Sequence, residues 1–553
     1  MSTDTESRER TRSDLVRGES TTVEYLGGSF AVLGTVVALL GVWLLDGQTG
    51  LQTPVAGTDV GTLVGVGSVV LAVGLFVLGS LSRTDALETT PGRTGGAGVA
   101  AGFALLWFVV GSLVGAQTLG LSTLWPVLGV FAAAFGAAAS LVPREDVGTT
   151  LQPALIALLA GVVVLSGAID ASWTWQPGGL AATFTADLAV ALVAVTAGML
   201  GAWTGARAYR GFGARGRQAS AYMLVSANAA AMVVLLGVIV TFVAVNGWST
   251  MTRGIKYGLF WGPVWWTHVP VADTWVIVKG PILWFYWPFA MNGYALFNDI
   301  NGIAPAIIGT VWLVAGAVVF ALPLGVGAAV FLTEYAERGP FTRVVEVATD
   351  GLWSTPSIVY GLFGLAFLVP RLGDGKSILA GQLVLGFMFL PLVVITSREA
   401  LNNVPDEYRD ASAALGVSKW QTIKSVVLPA AMPGVITGAI LGVGRIAGET
   451  APILLVTGGG VFPSRGPDVL GGFEVTTWVG TQFPFVYVNV SNDVLLEASS
   501  ALPYQLYAII TAGLQGNNLD FAWGTALVLL LVVLSFYAVG IASRVYFRKK
   551  LQA

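Results

Sequence analysis

The chain has 553 residues, 55% hydrophobic and 11% charged, with a net charge of −3 and a single histidine. Soluble proteins carry roughly 25% charged residues, so this composition belongs in a lipid bilayer and leaves no basic excess for nucleic acid. With no cysteine and only His268, disulfides, thiolate chemistry and multi-histidine metal centres are excluded; neither a metal nor a cofactor is expected.

Residues 1–26 carry Arg8, Arg10, Arg12 and Arg17 among acids and hydroxyls and read as a cytoplasmic tail rather than a cleaved signal peptide. Crossing the hydrocarbon takes about 20 apolar residues. Runs of that kind fall at 27–45, 61–81, 97–116, 124–142, 151–169 and 183–204, then at 221–245, 303–333, 350–369, 379–396, 431–457 and 521–543. The expected fold is therefore an all-α polytopic membrane protein of about twelve transmembrane helices. Lys and Arg concentrate on the side of the amino terminus, above all in Arg207, Arg210, Arg215 and Arg217, which places both termini in the cytoplasm. That basic, glycine-rich stretch also marks a domain boundary, dividing a six-helix accessory region at 27–205 from a second domain at 206–553. A twelve-span secondary transporter is the alternative, but the halves share no pattern of the kind its repeats leave.

The outer segment 246–302 gathers Trp261, Trp265, Trp266, Trp275, Trp284 and Trp287, as an interfacial aromatic belt or a partner surface would. Ser354, Thr355, Pro356 and Ser357 interrupt the apolar run 350–369, either as a proline kink or as a broken helix lining a water-filled path. GDGKS at 373–377 imitates a phosphate-binding loop, but Pro370 stands where the pattern needs glycine and no strand precedes it. Energy must then come from a partner. Arg398 ends a span beside Glu399 and fits either anchoring at the interface or a place on a path.

The segment 398–434 is polar yet patterned. Pro405 opens a short helix, Gly416 suits the left-handed turn that ends it, and Ser418 with Gln421 caps a second helix that Pro429 ends. Tyr408, Trp420 and Ile423 are apolar knobs for a partner's groove. Asp410, Ala411 and Ser412, then Gly416, then Val426, Val427, Leu428 and Pro429 carry the spacing of the coupling loop of ABC importer permeases, here at 403–429. GRIAGETAPILLVTG at 444–458, TPSIVYGLFGLAF at 355–367 and the carboxy-terminal LPYQLYAIITAG resemble the PstA-type permease of phosphate ABC importers over 207–553.

The resemblance implies the type I ABC importer permease fold for the last six spans. It also implies passage of inorganic phosphate or a related oxyanion, without catalysis by this chain. The implied partners are a second permease of the PstC type, PstB-type ATPase subunits docked on Asp410, Ala411, Ser412, Gly416, Leu428 and Pro429, and an extracytoplasmic PstS-type binding protein. Arg445 and Glu449, four apart on one span, form either a structural ion pair or a path constellation. Arg445 is expected to be the only Lys or Arg inside a span. Its planar fork suits phosphate oxygens, and the resemblance favours a substrate path of Arg445 and Glu449, with Arg398, Ser354 and Ser357 beside it.

Overall fold

The computed structural model describes residues 21–46, 49–92, 97–121, 123–141, 144–176, 182–269, 274–295, 300–337, 339–460, 463–479, 486–513 and 517–552. Most of the expected amino-terminal tail lies outside them. The chain is an all-α membrane protein with β-hairpins between its helices. Among the described residues ten helices are long and apolar enough to cross a bilayer, eleven if one bent pair counts as a span. The expected fourth span is the exception. Its helix, Trp125–Ser140, has 16 residues, about 24 Å at 1.5 Å per residue, against a core of about 30 Å.

Two compact units divide the chain, Met1–Leu235 and Leu236–Ala553. The division falls within one helix, Gly213–Thr252. In the first unit α1 (Thr22–Trp43) begins at a capping box in which Thr21 and Glu24 satisfy each other's backbone N–H groups. It is followed by α2 (Val60–Arg83), α3 (Ala97–Leu113), α4 (Trp125–Ser140), α5 (Glu145–Leu165) and α6 (Ala186–Tyr209), and α7 (Gly213–Thr252) leads out of the unit. Because α6 runs past residue 204 to Tyr209, Arg207 also falls within a crossing helix.

Lipid offers no hydrophobic drive between helices, so close backbone approach does the packing. Gly27, Gly34 and Gly41 repeat every seven residues on α1, the first two facing Gly205 and Gly198 on α6 and the third Ala191 and Ala194. A Cβ at Gly34 would run into the Ala202 backbone, and one at Gly198 into that of Ala38. We expect Gly34→Leu to separate this helix pair, at a cost of roughly 1–3 kcal/mol or more. Thermal unfolding of the purified chain in detergent checks this, and an unchanged midpoint would show that the seam is loose.

In the second unit α8 (Ala304–Val330) packs along α11 (Ile378–Asn402), α11 on α14 (Leu428–Ala447), and α14 on α17 (Asn517–Gln552). The core runs through Leu313, Ala317, Val384, Leu385, Phe389 and Ile446. Further helices include α9 (Pro340–Ser354), α10 (Ser357–Phe363), α12 (Asp406–Ala414), α13 (Lys419–Thr422), α15 (Ala451–Val456) and α16 (Leu502–Thr511). Buried Thr310 on α8 accepts the Leu502 N–H at 2.9 Å, meeting one of the free donors at the start of α16. Arg398 lies within α11, so Arg445 is not alone in a span.

The segments expected to lie outside fold into hairpins that no expectation covered. Lys256–Val269 pairs antiparallel with Thr274–Tyr286, and Phe473–Val479 with Val486–Asn492. Tyr257, Leu259 and Trp261 alternate along the first of these strands and are all more than two-thirds exposed. The side chains of Trp265, Trp266, Trp275 and His268 lie outside those described.

Candidate functional site

Two interrupted helices meet in the second unit. α9 and α10 are bent by 99° at Thr355–Pro356. Proline has no N–H and holds the preceding residue extended, and Thr355 sits at φ −66°, ψ 131°. The carbonyls freed by the break find local donors: Ser354 Oγ and Thr355 Oγ1 donate to Gly351 O at 3.0 and 2.8 Å, and Tyr360 Oη reaches back across the bend to Leu352 O at 2.8 Å. A bend of this size makes the segment a broken helix rather than a kinked one.

The second interruption lies between α14, which ends at Ala447, and α15, which begins at Ala451 with Pro452 in its first turn. Arg445 and Glu449 therefore do not share a helix face, which corrects the expectation drawn from their spacing. Gly448 and the proline after it halt the helix, and Glu449 stands in the gap. The pair still forms, with Arg445 Nε 3.7 Å from Glu449 Oε1. That is an ion-pair distance, too long for a hydrogen bond. The Arg445 guanidinium lies 4.1 Å over the Trp353 ring, so the last residues of α9 hold it by cation–π stacking. Its side chain remains 41% exposed, whereas Glu449 is 15% exposed. The helices that follow the two breaks are in direct apposition, since a Cβ at Gly361 on α10 would lie 2.8 Å from Pro452 Cα on α15.

Arg398 is elsewhere. It pairs with Glu346 on α9 rather than with its neighbour Glu399. With Thr333, Arg343 and Asn402 this pair lines a polar cleft of about 740 Å³. Arg398 Nε and Thr333 Oγ1 are buried there without a hydrogen-bond partner. Arg398 and Arg445 thus meet different residues of α9, Glu346 and Trp353. Ser354 is exposed and Ser357 half-buried at the α9–α10 break, closer in sequence to Trp353 and hence to Arg445.

The 403–429 segment is a helical hairpin. Asp406–Ala414 closes in a Schellman turn: Gly416 N–H donates to Ala413 O at 2.9 Å and Val417 N–H to Ser412 O at 3.2 Å, with Gly416 at φ +73°. Three details depart from expectation. Ser418 stands at the start of α13, but its side chain makes no capping bond and Gln421 does not reciprocate. Pro429 does not end the second helix, which is continuous from Lys419 to Ala447. A π turn at Ile423–Val427 widens the ladder there, so Pro429 enters the first turn of α14, where its missing N–H is not needed. Ile423 is no knob but is packed against Leu401, Val404 and Val427.

Tyr408, Leu415 and Trp420 do project, at 52%, 82% and 61% exposure. Asp410 and Ala411 are exposed beside them, Ser412 is turned inward with its hydroxyl on Tyr408 O at 2.9 Å, and Leu428 and Pro429 are half-buried.

Sequence reasoning missed the residue that fixes this hairpin. Arg409 donates from Nε and Nη2 to Glu334 at 3.2 and 2.8 Å, and from Nη1 and Nη2 to the Val404 and Leu401 carbonyls. Glu334, 7% exposed, sits in the π turn that ends α8. The hairpin is thereby clamped to a long helix of the bundle. We expect Glu334→Gln to free it, since breaking such a buried pair costs roughly 3–5 kcal/mol. Limited proteolysis between 403 and 422 would then accelerate by at least about tenfold, and an unchanged cleavage rate would show that the clamp is dispensable.

A model of the family described as binding-protein-dependent transport system inner membrane component matches residues 321–553. The phosphate transport system permease protein PstA 1 of Mycobacterium tuberculosis is 34% identical over 270 residues, covering 49% of this chain and 78% of the relative. PstA of Mycobacterium leprae is 33% identical over 264 residues, 47% of this chain and 76% of the relative. A chain of the inward-facing MetNI methionine ABC transporter aligns over 44% of this chain and 97% of its own length, at a TM-score of 0.32 and 17% identity.

Proposed function

Because the chain belongs to the family of binding-protein-dependent transport system inner membrane components, and is thus a multi-pass ABC importer permease rather than a secondary transporter, we propose that its cargo is inorganic phosphate and its drive a partner's ATP hydrolysis. The observation that carries the choice of phosphate is the extent of likeness to relatives named as phosphate transport permeases. The chemistry of the Arg445 site is compatible with it. A permanently charged fork, open on one side and backed by an aromatic ring, receives a tetrahedral oxyanion through two parallel hydrogen bonds. Glu449 competes for the same guanidinium and so limits how long the anion stays.

In this reading 206–553 is the permease domain and 27–205 an accessory region. Both termini face the cytoplasm, and the 403–429 hairpin docks on an ATPase subunit of the PstB type through Tyr408, Leu415 and Trp420. One hairpin serves one ATPase, so the path is completed by a second permease of the PstC type. A PstS-type binding protein delivers phosphate from outside. Arg445, Glu449, Ser354 and Ser357 line the path, and Arg398 stands in a separate cleft below it.

The reading is tested by competition. In membranes containing the assembled importer, uptake of labelled phosphate should be suppressed by excess unlabelled phosphate or arsenate and left unchanged by sulfate or molybdate. Suppression by sulfate or molybdate but not by phosphate would assign the chain to another oxyanion importer.

A further inference from the structure

The first unit buries charge at one end, where α5 begins and α6 gives way to α7. Glu145 Oε2 accepts from Arg217 Nη1 at 2.8 Å and from the Gly92 N–H at 3.0 Å. Its other oxygen lies 3.5 Å from Arg207 Nη1, an ion pair without hydrogen-bond geometry. Asp146 offers no relief, since it is taken up by Ser82 Oγ at 2.7 Å and Arg144 Nη2 at 3.1 Å. Two guanidinium groups thus share one carboxylate, and one positive charge is left over. Arg207 is held in place by Ser220 Oγ at 3.3 Å and by the Trp203 ring 4.4 Å away, yet its Nη1, buried in a side chain only 6% exposed, has no acceptor.

Both arginines line the end of a cleft of about 790 Å³ whose other walls are almost entirely apolar, formed by α3, α6 and the start of α7. Gly98 and Gly102, one turn apart on α3, help to open it, for a Cβ at either would meet nothing within 4 Å. The cleft follows α3 from Gly98 to Val109, about 16 Å at 1.5 Å per residue. That is close to half of a hydrocarbon core of about 30 Å, the depth of one leaflet.

We propose that this cleft is a binding site for an anionic phospholipid, its phosphodiester engaging Arg207 and Arg217 and one acyl chain lying along α3 toward Val109. The occupant must join a negative head to a long apolar tail. An apolar helix would bury the surplus positive charge without a counterion, and a free oxyanion would leave the apolar walls unfilled. The site shares no residue with the Arg445 site or the 403–429 hairpin, and the proposal does not depend on the transport reading.

Native mass spectrometry of the full-length protein, equilibrated with equal amounts of phosphatidylglycerol and phosphatidylcholine, tests it. The wild type should retain phosphatidylglycerol about fivefold over phosphatidylcholine, the factor that roughly one basic charge contributes at a lipid surface. Arg217→Gln should remove that preference, and Gly102→Leu, whose Cβ meets no protein atom within 4 Å and whose side chain would occupy the cleft, should reduce retention of phosphatidylglycerol severalfold. Excess inorganic phosphate should displace none of it. Equal retention of the two lipids by the wild type overturns the proposal whatever the variants do. So does an undiminished preference in both variants, or displacement by inorganic phosphate, which would mark a free-anion site.

Discussion

Arg445→Gln is expected to abolish phosphate uptake while the permease still folds and assembles. The side chain is 41% exposed, and among the described residues it is held by the Trp353 face and a 3.7 Å ion pair, so little packing depends on it. Each charge-assisted hydrogen bond to a bound anion contributes about 1.5–3 kcal/mol. Loss of a two-bond fork therefore lowers uptake at limiting phosphate by at least about a hundredfold, at 1.4 kcal/mol per factor of ten. Arg445→Lys separates charge from geometry, because lysine keeps the charge but not the planar fork. It should recover only a minor part of the loss. Glu449→Gln removes the competitor and should change turnover severalfold by slowing release of the anion. Uptake of labelled phosphate by cells carrying each variant, with the level of assembled complex measured alongside, decides the matter. Normal uptake by Arg445→Gln would make the pair structural and leave the path to hydroxyls and backbone amides.

Gly416→Val is expected to uncouple the transporter without unfolding it. Gly416 has φ +73° and open space where a side chain would stand, so the penalty is conformational rather than steric crowding by neighbours. A β-branched residue in that region costs of order 1–3 kcal/mol. The chain relieves it by abandoning the Schellman turn, which turns Tyr408, Leu415 and Trp420 away from a common surface. Gly416→Asn is the matched control, since asparagine tolerates the left-handed region. ATP hydrolysis by the assembled complex should lose its stimulation by substrate in Gly416→Val and retain most of it in Gly416→Asn. Full stimulation in Gly416→Val would place the ATPase contact elsewhere.

The positions of the crossing helices were legible because hydrocarbon leaves little choice: a long apolar run must close its own backbone hydrogen bonds, and a helix is how a single segment does so. The helices extend past the apolar runs for the same reason. Thus α7 starts at Gly213 amid the basic stretch and α6 carries Arg207. The broken helix at Pro356 could also be read, from the missing N–H. Arg445 and Glu449 show where spacing misleads. Four residues imply a shared face only on an unbroken helix, and the glycine and proline of the intervening GETAP segment argued against one. The Arg409–Glu334 clamp joins positions 75 apart, and the Trp353–Arg445 stack crosses from one broken helix to another. Neither leaves a periodic signal. The two long hairpins were hidden differently, because aromatic residues that alternate along a strand also suit an interfacial belt.

The most direct measurement is transport by proteoliposomes that contain this chain with its second permease, the ATPase subunits and the phosphate-binding protein. Accumulation of labelled phosphate should require ATP and the binding protein and be unaffected by a protonophore. Accumulation driven by an imposed proton gradient in the absence of ATP would contradict this.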